Sequence, residues 1–123
     1  MIKNVLLVAL GGGAGSVLRF LCQKWIGSIS NLSFPVGTLI INIAGCFLIG
    51  VFFSFALKNN LFNNDWQLLL MTGLCGGFTT FSAFTLDGMN LLKQDKTGLF
   101  FLYIAASVLL GLLATWIGIK IFK

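Results

Sequence analysis

The residues best suited to chemistry in this chain sit inside apolar segments, where polar side chains are least expected. The run Gly73-Leu74-Cys75-Gly76-Gly77-Phe78-Thr79-Thr80-Phe81-Ser82-Ala83-Phe84-Thr85 packs glycines and hydroxyls into the middle of a hydrophobic stretch. Glycine weakens a helix by about 1 kcal/mol relative to alanine. Polar or broken backbone at bilayer depth is tolerated only where protein buries it or where it lines a path for something polar. Phe78, Phe81 and Phe84 recur every three residues, as do Thr79, Ser82 and Thr85. On a helix this spacing predicts an aromatic edge beside a hydroxyl edge. Aromatic ring edges carry positive potential, and hydroxyl donors replace part of an ion's hydration, so the pattern suits a small anion. Gly76-Gly77 ahead of Thr79-Thr80 predicts a helix break, with carbonyls exposed at one half-helix end and amides at the other. Such carbonyls, converging from two chains, suit a hard monovalent cation such as Na⁺.

A second apolar run reads Phe34-Pro35-Val36-Gly37-Thr38-Leu39-Ile40-Ile41-Asn42-Ile43-Ala44-Gly45. Asn42 lies deep within it, where an unsatisfied amide costs several kcal/mol. Its two N–H donors suit an anion that must shed water, or else a bond to a neighbouring helix. Thr38 stands one turn earlier on the same face. Gly11-Gly12-Gly13-Ala14-Gly15-Ser16 resembles a nucleotide loop only superficially, because it lacks the Gly-Lys-Ser/Thr ending and a preceding strand. Helix packing is the better reading. Arg19, one turn after Ser16, either snorkels to the interface or collects anions at a vestibule. Asp87 is placed for snorkelling or helix capping near the end of the third segment.

These residues need a membrane scaffold. With 58% hydrophobic and 9% charged residues in a chain of 123, too much apolar surface exists for a soluble domain of this size to hide. Four apolar stretches, about 4–25, 34–57, 66–92 and 99–121, are each long enough to cross a hydrocarbon core. They predict a single all-α transmembrane domain, with short connectors at 26–33, 58–65 and 93–98 that include Asn59-Asn60. The first apolar run continues beyond the core of a cleaved signal and is read as a membrane helix. Trp25 and Trp66 sit at segment ends, as interface anchors do. Gly11/Gly15, Gly12/Ser16, Gly73/Gly77, Ser107/Gly111/Thr115 and Ala114/Gly118 are small-residue strips that predict close helix packing and suggest assembly.

The charges are informative by their balance. Four spans put both termini and the middle connector on one side, with Lys3, Lys58, Lys120 and Lys123; the other side collects Lys24, Lys93 and Lys96, plus Arg19 if it reaches outward. The positive-inside rule therefore gives almost no preference, and the expectation is a chain that inserts both ways and assembles as two inverted copies. The net charge of +5 is scattered, which suits lipid headgroups and gives no nucleic-acid footprint. There is no histidine, and the only acids are Asp65, Asp87 and Asp95. Triad hydrolysis, acid–base catalysis and a histidine–carboxylate metal site lack their parts, so no enzyme is expected. Cys22, Cys46 and Cys75 are odd in number and widely spaced, and read as small buried residues.

Taken together, the segments resemble the Fluc family of fluoride channels, also called CrcB proteins. The first-helix pattern falls on Gly11-Gly12-Gly13-Ala14-Gly15-Ser16-Val17-Leu18-Arg19-Phe20 and the second on Gly37-Thr38-Leu39-Ile40-Ile41-Asn42-Ile43-Ala44-Gly45. The third and most specific falls on Gly76-Gly77-Phe78-Thr79-Thr80-Phe81-Ser82-Ala83-Phe84. The resemblance implies an antiparallel, dual-topology homodimer with two fluoride pores, exporting fluoride passively across a bacterial cytoplasmic (inner) membrane. It places Asn42, Phe81 and Phe84 on the pore, with Thr38, Ser82, Tyr103 and Ser107 along the ion path. It further implies a central structural Na⁺ held by the backbone carbonyls of Gly76 and Thr79. Two positions depart from the family pattern: Ala83 replaces the usual threonine, and Asp87 the usual glutamate. A proton-coupled exporter of similar size would need a carboxylate near the centre of a span, and none is present in the sequence. A transport-inactive membrane subunit would leave Asn42 and the central hydroxyls without a task.

Overall fold

The computed structural model of the chain describes residues 1–29, 34–58 and 63–121; the Asn59-Asn60 pair and Lys123 lie outside them. Among the described residues every regular element is helical. Helix α1 spans Ile2–Ile29 and α2 spans Val36–Lys58. A third rod begins with α3 (Asn64–Trp66), widens into a π-helix over Gln67–Cys75 and returns to α-geometry in α4 (Gly76–Phe78). After a break come α5 (Phe81–Lys93) and α6 (Thr97–Ile121). Residues Asn64–Lys93 together form the third of four helical stretches long and apolar enough to span a membrane. The protein is an all-α membrane protein, as its composition demands.

Local chemistry sets the ends of these rods. Pro35 stands just before α2, where its fixed φ and missing N–H do no harm. The Asn63 carboxamide oxygen accepts from the amides of Asp65 and Trp66 (3.0 and 3.3 Å) and starts the third rod. At the far end of α5, Asp95 adopts φ 59°, and the Lys96 amide donates back to the Leu91 carbonyl at 2.9 Å. This left-handed cap turns the chain into α6 within a few residues. The Lys3 ammonium pairs with the Asp65 carboxylate at 2.7 Å, which puts the start of α1 and the start of the third rod at the same end of the bundle. That is the arrangement expected of four alternating spans.

The small-residue strips work inside the chain. Gly11 and Gly15 of α1 face Gly73 and Gly77 of the third rod, so closely that a Cβ on Gly15 would stand 2.8 Å from the Phe78 amide nitrogen. A Cβ on Gly73 would lie 2.9 Å from the Gly11 Cα. On the other flank, Gly50 of α2 abuts the backbone of Thr115 in α6, and Gly118 abuts that of Val51. The Thr115 hydroxyl adds a bond to the Cys46 carbonyl at 2.9 Å. Within the chain these glycines bring backbones together where lipid supplies no hydrophobic drive. The long faces that remain outward carry Leu10, Leu109 and Leu112, each about two-thirds exposed, as lipid-facing side chains are.

The break itself corrects the sequence reading. Gly76 and Gly77 stay helical, and the chain opens at Thr79 (φ −88°, ψ 156°) and Thr80 (φ −150°, ψ 125°). Glycine at position 77 is required by the approach of Gly12, whose backbone a Cβ would overlap. The β-branched threonines prefer extended backbone, and Thr80 is a good N-cap: its hydroxyl accepts from the Ala83 amide at 3.2 Å. Because the break falls between Phe78 and Phe81, the expected three-residue stripes are divided. Phe78 ends one rod and Thr79 lies in the break, whereas Phe81, Ser82, Phe84 and Thr85 belong to the next helix.

A broken span around a polar cavity

The extended pair at Thr79-Thr80 leaves backbone groups that the helices no longer satisfy, and Asn42 supplies partners for one of them in both directions. Its Nδ2 donates to the Thr80 carbonyl at 3.2 Å, and its Oδ1 accepts from the Thr80 amide at 3.0 Å. The carboxamide thereby acts as a short piece of strand beside the break. One of its two N–H groups is used in this way, which leaves the second for another acceptor.

Both sides of the break carry orphan groups of opposite sign. On the carbonyl side, Cys75 O accepts from the Thr79 amide and hydroxyl (3.0 and 2.8 Å), and Gly77 O accepts from the Arg19 Nε at 3.3 Å. The carbonyls of Gly76, Phe78 and Thr79 have no hydrogen-bond donor among the described residues. On the amide side, Phe81 and Ser82 open α5 without an acceptor among the described residues, whereas Ala83 is capped by Thr80. A 13-residue helix therefore begins inside the bilayer with its positive end exposed. Arg19 does not reach outward as the charge count allowed. It is turned in to the rod, where it closes one carbonyl and offsets the negative helix end.

A cavity of about 520 Å³ opens beside the break, lined by Asn42, Phe81, Phe84, Ser107, Gly76 and Thr79 together with apolar neighbours from α2, the π-helix and α6. The Ser107 hydroxyl is buried, and it has no hydrogen-bond partner among the described residues. Phe81 is 77% exposed, and its ring centroid lies 5.8 Å from that of Phe84. Six of the residues singled out from sequence are therefore brought to one wall.

Thr38 and Tyr103 form a second cluster nearer one end of the bundle. Tyr103 is fully buried, with its hydroxyl 3.4 Å from Asp87 Oδ2, to which it donates. Its ring stands edge-on to Phe34 (5.5 Å) and tilted against Phe84 (5.1 Å). Thr38, 4% exposed, accepts from Gln23 Nε2 at 3.0 Å. Phe84 is thus the bridge between the cavity and this polar cluster. Ser82 belongs to neither: it is exposed, with its hydroxyl 3.2 Å from that of Thr80. Gln23 was missed in the sequence. Its signal was available, since an amide inside an apolar span needs a partner, but nothing in one sequence said that the partner was Thr38.

Four apolar spans, the third broken midway beside a cavity that Asn42, Thr79 and Ser107 share with apolar neighbours, define a small multi-pass membrane protein. The family model described as CrcB-like protein, Camphor Resistance (CrcB), matches residues 6–119, and the chain belongs to this family. Among its relatives, a protein of Flavobacterium psychrophilum named fluoride-specific ion channel FluC is 48% identical over 121 residues, covering 98% of each chain. A protein of the same name from Phocaeicola vulgatus is 49% identical over 117 residues, covering 95% of this chain and 96% of its own. A third, from Oceanobacillus iheyensis, is 42% identical over 119 residues, covering 97% and 91%.

Proposed function

We propose that the chain is a fluoride-selective channel, which exports fluoride passively across the bacterial cytoplasmic membrane and lowers its concentration inside. The observation that carries this reading is the broken third span beside a cavity lined by Asn42, Phe81, Phe84 and Ser107, the last with a buried hydroxyl that has no partner among the described residues. A lone polar atom at that depth loses about 1–3 kcal/mol for want of a partner, and a small anion accepting its O–H removes the deficit. Asn42 has one N–H left to donate, and Phe81 and Phe84 offer ring edges. The open amide end of α5 adds positive potential on the same side. Thr38 and Tyr103, in the cluster that Phe84 joins to the cavity, and Ser82, exposed at the start of α5, are the remaining hydroxyls of this reading. The names of relatives close to half identical along nearly the whole chain support the same ion.

The same reading includes an antiparallel homodimer with two pores. Its support is the near balance of lysines: with Arg19 turned inward, Lys3, Lys58, Lys120 and Lys123 stand against Lys24, Lys93 and Lys96. A structural Na⁺ between the copies would be held by the carbonyls of Gly76 and Thr79, which are free of hydrogen bonds and so suit a hard cation. Liposomes reconstituted with the purified chain and loaded with fluoride or chloride test the function. Rapid loss of fluoride with chloride retained is the expected result; no fluoride leak, or an equal chloride leak, contradicts it.

A further inference from the structure

Three sulfur-bearing residues, Cys46, Met71 and Cys75, line the same cavity, and the proposed ion path does not employ their side chains. Met71 and Cys75 are four residues apart on the π-helix, a spacing that stacks side chains on one flank of a helical rod. Cys75 is 2% exposed. Cys46 comes from α2, its sulfur directed towards Gly111, where a Cβ would stand 3.4 Å from it. Gly45, the residue before Cys46, abuts the Thr79 side chain, and Thr79 is bonded twice to the Cys75 carbonyl (2.8 and 3.0 Å). The backbones that carry Cys46 and Cys75 are therefore linked through the contact of Gly45 with Thr79. Cys22, on α1, takes no part in lining the cavity.

We propose that Cys46 and Cys75, backed by Met71, form a binding site for a soft divalent cation, for which Hg²⁺ is the simplest probe. Thiolate and thioether sulfur select soft ions over the hard ones that carboxylates bind, and no carboxylate or histidine lines this cavity. Charge balance fixes the valence. Two S–H bonds break, two metal–sulfur bonds form, and two protons leave to solvent. A dipositive ion on two thiolates is neutral, so it avoids the penalty that an uncompensated charge meets at membrane depth. A monovalent ion on both thiolates would leave one negative charge there. Met71 adds a third, uncharged donor without altering this balance.

A metal at this position also obstructs the fluoride path. That consequence rests on the function proposed above; the binding itself does not. The test uses the purified full chain in detergent, with Hg²⁺ alone, a monothiol as competitor, and mass mapping of maleimide labelling. One Hg²⁺ per chain is expected to survive the competitor, with Cys46 and Cys75 protected and Cys22 still labelled. Replacing either thiol, as Cys46→Ser or Cys75→Ser, should weaken retention about 100-fold or more, the usual advantage of a second tethered ligand. Cys46→Ala and Cys75→Ala keep the test valid if a serine variant fails to fold, and Cys22→Ser should retain Hg²⁺ as the parent does. Retention unchanged in Cys46→Ser or Cys46→Ala, or lost in Cys22→Ser, overturns the site. Hg²⁺ held by both thiols without any block of fluoride efflux leaves the metal site standing and contradicts the placement of the ion path.

Discussion

At the scale of single residues, the side chains that hold the fold differ from those left free for an ion. Asn42 does the first job visibly, since both bonds of its carboxamide go to the Thr80 backbone. Asn42→Leu removes both and should lower stability by about 1–3 kcal/mol, at roughly 0.5–1.5 kcal/mol per bond, read as a fall in thermal midpoint together with lost fluoride flux. Ser107 should behave oppositely. Its hydroxyl stabilises nothing among the described residues, so Ser107→Ala is expected to leave the thermal midpoint equal or higher. Fluoride efflux should fall about tenfold, the loss of one hydrogen bond to a charged partner. A variant that melts early yet conducts normally would show that Ser107 has a structural partner instead. Phe81→Ile or Phe84→Ile should slow flux with assembly intact, and unchanged flux in both would remove the ring-edge mechanism. Asn42 and the phenylalanines stood out in the sequence because amides and regular aromatic spacing are conspicuous in apolar runs. Gln23 did not, because its meaning depends on Thr38, which lies 15 residues away on α2.

At the scale of elements, the third span is a rod, a two-residue break and a second helix, and each part has a separate physical cause. Glycines 73 and 77 serve the approach of α1, while Thr79 and Thr80 make the break. Sequence alone joined these two tasks, because a paired glycine reads equally as a breaker and as a packing surface. Only the partner helix tells them apart. The spans themselves were legible from hydropathy and length, since a bilayer imposes both. The π-helical winding over Gln67–Cys75 was not, because its i to i+5 pattern leaves no compositional mark. The division of labour at the break is testable. Thr80→Ala deletes the α5 cap and should destabilise the protein by about 0.5–2 kcal/mol, whereas Gly77→Ala drives a methyl into the Gly12 backbone and should impair folding outright. If thermal melts instead showed Gly77→Ala to be harmless and Thr80→Ala severe, the packing of α1 against the third rod would be misjudged.

At the scale of the whole molecule, the outward faces and the charges point beyond one chain. The glycines of α1, α2 and the third rod are occupied internally, and the proposed dimer would place the carbonyls of Gly76 and Thr79, which accept no hydrogen bond among the described residues, where two copies could share a cation. Topology reporters fused to the C-terminus should register both orientations in one cell population, and adding two lysines at one end should bias them; one fixed orientation in the parent chain would contradict an inverted dimer. Replacing Na⁺ with a large organic cation during purification should loosen the dimer, as measured by its dissociation on dilution. Selectivity is the central claim, and the reversal potential of a reconstituted planar bilayer under opposed fluoride and chloride gradients tests it most directly. The account predicts a potential that follows the fluoride gradient and ignores chloride; a potential that tracks chloride, or stays at zero, would contradict it.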